Sequence, residues 1–158
     1  MKIQVATATK VIHATAASVY EIIADYRTKH LRILPKPYFL TLDVEEGGYG
    51  EGTIVNFTMR ILGQTQSFRS LITEPEPGHV LLETDINSGV ATRFQVVPED
   101  KGTTQVNIST ELKNRGMVEG FIAKQMLKKI YRQELELLAH LAEDQASVVP
   151  SATLDKAR

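Results

Sequence analysis

A helical segment running from about Met117 to Glu143 closes the sequence, and it constrains the fold more than any other feature. At 3.6 residues per turn, Gly120, Ala123, Leu127, Ile130, Tyr131, Leu138 and Leu141 share one arc, and the acid Glu134 sits among them. A helix this long with one broad apolar face needs an equally long apolar surface to cover it. Almost everything between it and a short early helix has the alternation of β-strands. The expected result is a curved sheet wrapped around the last helix, with space between them for a cavity.

The strand pattern is explicit. Val, Ile and Thr dominate Ile3 to Ile12, which reads as the first strand. Thr15 then stands where a helix N-cap belongs, its hydroxyl placed to accept from the amide near Ser18, and Val19, Tyr20, Ile22, Ile23 and Tyr26 form the stripe of a short helix. After Pro35 and Pro37, Leu40, Leu42 and Val44 alternate with Thr41, Asp43 and Glu45. Val55, Phe57, Met59 and Ile61 oppose Asn56, Thr58 and Arg60, and Gly63 turns the chain into Thr65 to Thr73, where Phe68 and Ile72 face inward. Further strands are expected at His79 to Asp85, Ala91 to Val97 and Thr103 to Lys113. Pro75, Pro77 and Gly78, then Asn87 to Gly89, then Pro98 to Gly102 mark the turns between them. Val80 and Leu82, Phe94 and Val96, and Val106, Ile108 and Leu112 are read as the apolar face. Short gaps favour an antiparallel meander, and the element order is α+β.

Length and charge exclude several functions. The 158 residues make one domain, assigned to residues 1–143, with residues 144–158 read as a loose tail because apolar periodicity gives way to Ser147, Pro150, Ser151 and Thr153. The 18 basic and 19 acidic residues give a net charge of −1 with no basic block, so nucleic acid is not an expected partner. There is no cysteine, and His13, His30, His79 and His140 have no metal-ligand spacing, so neither metal nor cofactor is expected. The start lacks a signal-peptide core and no apolar run reaches the ~18 residues of a membrane span, so a soluble, cytoplasmic protein without stable membrane insertion is expected. Oligomeric state stays open.

The stretches VIHATAASVYEIIADYRTKHLRILP, EEGGYGEGT and FQVVPEDKGTTQVNIST, together with the closing helix, resemble the START-like (SRPBCC) superfamily, in its polyketide cyclase/dehydrase and lipid-transport branch. The resemblance covers about Ile3 to Glu143 and lies in element order rather than in a signature motif. It implies a helix-grip, birch-pollen-allergen-like fold of about seven antiparallel strands around the last helix, with one or two short helices after the first strand. It also implies a hydrophobic small-molecule ligand held between sheet and helix. Phe57, Met59, Phe68, Leu82, Phe94, Leu127, Ile130, Tyr131 and Glu134 then become ligand-binding candidates, with Tyr131 and Glu134 as the candidate catalytic pair.

Glu134 carries the most chemical information. Out of water, an ionised carboxylate costs several kcal/mol unless paired, so its pKa rises toward the range a general acid or base needs at pH 7. The alternative is a salt bridge to Arg27, Lys29 or Arg32. The loop Gly47 to Gly52 is not a phosphate cradle, because it leads into a strand and is flanked by Glu45, Glu46 and Glu51; it is read as a tight turn with Tyr49 as a flap over the pocket mouth. Lys124, Lys128, Lys129 and Arg132 are read as a solvated helix face. Three functions follow. The first is binding or transport of an apolar or amphipathic small molecule such as a lipid, polyketide or aromatic metabolite. The second is a metal-free cyclase/dehydratase-like enzyme in the same cavity, which requires Tyr131 and Glu134 to face the cavity. The third is a protein-interaction module with a filled core.

Overall fold

Thr15 occupies extended backbone, and its hydroxyl accepts a hydrogen bond from the Ser18 amide at 3.3 Å, starting helix α1 (Ala16–Ala24) where the sequence placed the cap. The computed structural model describes residues 3–113 and 116–157, with side chains as far as residue 147. A 3-10 turn, His30–Ile33, follows α1. Seven strands complete the sheet: β1 (Gln4–Ile12), β2 (Phe39–Glu46), β3 (Ile54–Ile61), β4 (Gln64–Glu76), β5 (Val80–Asp85), β6 (Ala91–Asp100) and β7 (Thr103–Leu112). Helix α2, Met117–Ala157, comes last.

The sheet is antiparallel throughout, in the order β1-β7-β6-β5-β4-β3-β2, so the first strand pairs with the last and β2 forms the other edge. This arrangement is the expected helix grip. Ile61 pairs with Gln64 across a two-residue turn of Leu62 and Gly63, both at positive φ, as a type I′ hairpin demands. Two strands run further than their sequence suggested. β4 passes through Pro75 and β6 through Pro98, and each proline lies beside a register shift. A bulge tolerates a residue with no N–H to give, so the two prolines bend the strands without ending them.

The core forms where the sheet meets the helices. Ile12, Val19, Ile22, Ile23, Val55, Ile72, Leu81, Val106, Ile108, Ile130, Leu135 and Leu138 are buried in one cluster. The Thr104 hydroxyl donates to the Ala14 carbonyl at 2.7 Å, and the Glu143 carboxylate accepts from the His13 amide at 3.0 Å, tying the middle of α2 to the β1–α1 turn. The helix continues past Glu143 to Ala157, so the backbone of the segment read as a loose tail is helical. Extending a formed helix costs little, and Glu143, Asp144, Gln145 and Ala146 contain no breaker that would stop it. No described helix is long and apolar enough to cross a membrane.

The glycine loop corrects the flap expectation. Tyr26 donates its N–H to the Gly48 carbonyl at 2.9 Å, Gly50 donates to Ala24 at 3.0 Å, and Arg27 donates to the Gly47 carbonyl. The loop is therefore bound to the end of α1, and Tyr49 is absent from the cavity lining. Gly50 has φ +60, and a Cβ there would stand 2.2 Å from Glu74 Oε1. That carboxylate cannot swing aside freely, because it accepts from the Tyr20 hydroxyl and the Glu51 amide, both at 2.6 Å. Gly50→Ala is expected to cost about 1–3 kcal/mol, read as a lower midpoint in urea with an unchanged slope.

Candidate functional site

Between the sheet and α2 lies a cavity of about 790 Å³. Phe57 and Met59 on β3 and Phe68 on β4 enter it because alternate residues of a strand share a face. Phe57 stacks on Phe68 with ring centroids 5.0 Å apart, and Phe39 meets Phe57 at 5.9 Å, giving one wall an aromatic surface. Leu127 and Met126 of α2 form the facing side. Leu62, Asn87, Ser88 and Val90 bring the β3–β4 and β5–β6 turns to the lining, and Glu119 and Ile122 bring the start of α2.

Seven of the nine sequence candidates line this space: Phe57, Met59, Phe68, Phe94, Leu127, Tyr131 and Glu134. Ile130 and Leu82 do not. Ile130 is wholly buried in the helix–sheet core, on the flank of the apolar arc rather than at its cavity side. Leu82 pairs across the sheet with Arg93 and so belongs to the outer face, while its neighbour Glu83 pairs with Thr92 and turns inward. Counting apolar residues favours the opposite phase in this strand, because placing Leu82 inside spares Glu83 and Asp85 from burial. The pairing of Leu81 with Phe94 overrides it.

That reversal adds an acid the sequence did not single out. Glu83 keeps 15% of its side chain accessible and lies within electrostatic reach of Glu134, which is 3% exposed. The Tyr26 hydroxyl donates to Glu83 Oε1 at 2.9 Å. Among the described residues no hydrogen bond or ion pair reaches the Glu134 carboxyl, so the expected alternative of a salt bridge to Arg27, Lys29 or Arg32 is not formed. Arg27 instead holds the Gly47 carbonyl, and Lys29 pairs with Glu21 at 2.9 Å.

Burial dominates the electrostatics. It raises the Glu83 carboxyl to about 7, against which the Tyr26 hydrogen bond acts in part. It raises Glu134 well above the usual carboxyl range, and the neighbouring charge of Glu83 adds to that. His30 is stacked on Tyr26 at 4.2 Å and edge-on to Phe94 at 6.0 Å, and desolvation lowers it to about 4. Its Nδ1–H donates to the Ile23 carbonyl at 2.7 Å, which fixes the tautomer, and its Nε2 lone pair faces Glu83 Oε1 at 3.6 Å. This close approach joins a neutral ring to a carboxyl and is not an ion pair. Tyr131 is raised to about 12, first by burial, and its hydroxyl bonds to Thr110 and Thr92. At neutral pH the polar end of the cavity thus holds neutral tyrosines, a neutral histidine and two carboxyl groups that resist ionising together. Such a set can donate a proton from one acid and accept one at the other. No group of three or more His, Cys, Asp or Glu residues among those described is arranged to hold a metal.

Residues 4–143 match the family model described as polyketide cyclase/dehydrase and lipid transport. The chain belongs to this family. Among solved structures it is similar to the KanY protein in solution, at 29% identity over 90% of this chain and 99% of that one, with a TM-score of 0.80. A START superfamily protein from Mycobacterium smegmatis superposes with a TM-score of 0.72 at 15% identity, over 89% of this chain and 98% of the other. The Zhui aromatase/cyclase from Streptomyces sp. R1128 gives a TM-score of 0.67 at 16% identity, over 92% and 96%. No curated protein matches the sequence significantly. These superpositions bear out the helix-grip fold.

Proposed function

We propose that this member of the polyketide cyclase/dehydrase and lipid transport family binds a ring-bearing apolar small molecule in the cavity between sheet and α2 and carries or presents it. The observation that supports this most is the buried Glu134 carboxyl, unpartnered among the described residues, at the end of a cavity walled by Phe39, Phe57, Phe68 and Leu127. An apolar wall supplies affinity roughly in proportion to the area it removes from water, and a few polar groups at one end fix the orientation. A cavity of about 790 Å³ is within the range of small-molecule sites and speaks against a filled-core interaction module.

A second reading draws on a specific arrangement. Tyr131 and Glu134 both line the cavity, as a cyclase/dehydratase-like reaction requires, and Glu83 supplies a second carboxyl. In that reaction one carboxylate would take a proton from carbon next to a ligand carbonyl, and the neutral acid and the Tyr131 hydroxyl would donate to the oxygen. The two readings differ in the fate of the ligand.

The test is Leu127→Trp, which extends an indole into the cavity. It is expected to weaken binding of a neutral apolar dye, Nile red, at least tenfold while the protein still melts cooperatively. Unchanged dye affinity would place binding elsewhere. Mass spectrometry of poly-β-ketone mimics after incubation then separates the readings: recovery unchanged supports a carrier, and loss of water that Glu134→Gln abolishes supports the enzyme.

A further inference from the structure

The charged groups around the cavity all have one sign. Glu83, Asp85, Glu119 and Glu134 line it, and among the described residues neither lysine nor arginine does. Three cations of the surrounding elements are paired with other acids. Arg69 is held by Glu45 at 2.7 Å on the outer face of the sheet, Lys29 by Glu21, and Lys10 by Glu136 at 3.0 Å. Asp85 is committed to its own turn, accepting from the Ser88 amide and hydroxyl at 2.9 and 2.7 Å and from the Arg69 amide at 3.2 Å. Glu119 is at the rim. The inner pair is different: Glu83 has one donor, the Tyr26 hydroxyl, and Glu134 has none among the described residues although it is 97% buried by its 3% exposure. No fully enclosed side-chain nitrogen or oxygen among the described residues lacks a partner, so the unpaired Glu134 carboxyl opens onto the cavity, where a ligand donor can reach it.

We infer that the cavity selects ligands carrying a basic nitrogen on an apolar body, with the ammonium group seated between Glu134 and Glu83, and that it rejects carboxylates and phosphates of the same shape. This rests on the cavity being the binding site and names the class of molecule it takes. An anionic head at this end would meet two acids and no cation. A neutral ketone can only accept from a protonated carboxyl, and an alcohol adds a single uncharged donor. An ammonium group offers up to three charged donors, for the two Glu134 oxygens and the Glu83 oxygen that Tyr26 does not reach.

Seating it changes the protonation balance. Glu134 holds its proton in the empty cavity because burial and the Glu83 charge disfavour ionisation. Beside an ammonium group the carboxylate becomes the favoured form, so the proton leaves Glu134 for solvent as the amine binds, and the cavity ends with one more negative charge and one added positive one. Glu83 on β5, Tyr26 after α1, His30 on the 3-10 turn and Tyr131 on α2 itself are the titratable groups that face this position. The last three are neutral from pH 6 to 8, since His30 is lowered to about 4, Tyr131 is raised to about 12 and Tyr26 is raised further above its ordinary range. Amine affinity therefore increases as pH rises through this interval, below the amine's own pKa.

Displacement of Nile red by 4-phenylbutylamine, 4-phenylbutanol and 4-phenylbutyrate tests this, since the three differ only in the head group. The expected order at pH 7.5 is amine first, at least tenfold ahead of the alcohol, with the carboxylate weakest. Titration calorimetry of the amine in phosphate and in Tris should give different heats, reporting the released proton. In Glu134→Gln and in Glu83→Gln the amine should lose most of its lead over the alcohol, and either variant alone suffices if the other fails to fold. A carboxylate that competes as well as the amine, or an amine preference that both variants retain, would overturn the inference while leaving the cavity as the binding site. Absence of saturable Nile red binding by the unmodified protein would instead overturn the cavity reading, and this inference with it.

Discussion

Replacing Glu134 with leucine is expected to stabilise the protein at pH 8, by about 1–3 kcal/mol as is usual for removing a buried polar group without a donor, and to have a smaller effect at pH 4.5. A carboxyl group whose folded pKa is raised binds its proton more tightly when folded, so no stability is lost below the unfolded value near 4.5. As pH rises from there toward the raised value, the unfolded chain ionises first and the folded state falls behind. Glu83, raised from 4.5 to about 7, alone accounts for roughly 3 kcal/mol of lost stability between those limits, and Glu134 adds its own share. Leucine removes the Glu134 share and fills similar volume with apolar atoms. The change corresponds to a melting temperature higher by about 3–10 °C at pH 8. An equal loss of stability at both pH values would mean that the carboxyl has a partner in the folded protein. The stabilised variant should also be the poorer binder, since a site that keeps an unpaired acid buried gives up stability for recognition.

Ile130→Ala is expected to behave in the opposite way. The side chain is fully buried in the helix–sheet core and does not line the cavity. Removing three carbons from a packed site costs the transfer free energy plus that of the void, roughly 2–5 kcal/mol, which amounts to a melting temperature lower by about 5–15 °C. Dye affinity of the protein that remains folded should change less than threefold. Thermal melts paired with dye titrations well below the transition check both halves of this. A tenfold loss of affinity with little loss of stability would show that Ile130 contacts the ligand after all. The contrast with Leu127, three positions earlier in the same helix and in the cavity lining, is what assigns one residue to the core and the other to the site.

That contrast also marks how far the sequence could be read. Alternation alone placed Phe57, Met59, Phe68 and Phe94 on the inner face, and helical spacing placed Leu127, Tyr131 and Glu134 together, because both periods are geometric and survive folding unchanged. It could not tell Ile130 from Leu127, since which part of an apolar arc meets packed core and which meets a void depends on how far the sheet curves away. Strand β5 shows the sharper limit. Val80, Leu81 and Leu82 make both phases apolar at one end, so the pattern alone does not fix the phase, and the pairing turns Glu83 inward. Burial of an acid is unfavourable for stability, so an inward acid is the residue that pattern reading assigns to the wrong face. The glycine loop failed for a related reason. Its glycines reported tight backbone correctly, with Gly47, Gly48, Gly50 and Gly52 all at positive φ, but not that the loop packs against α1 instead of closing the mouth.

The most direct measurement of the central claim uses the methionine methyl groups as reporters. Met59 and Met126 line the cavity, Met117 lies in the first turn of α2 outside its lining and is 69% exposed, and Met1 is outside the described residues. With carbon-13 methyl labelling and assignment by single Met→Leu variants, an apolar amine titrated into the delipidated protein should shift the Met59 and Met126 signals together, saturably and at one equivalent, with Met117 almost unmoved. Signals of Met59 and Met126 that stay fixed while Met117 shifts would contradict a ligand held between sheet and helix, and would move binding to the outer surface of α2.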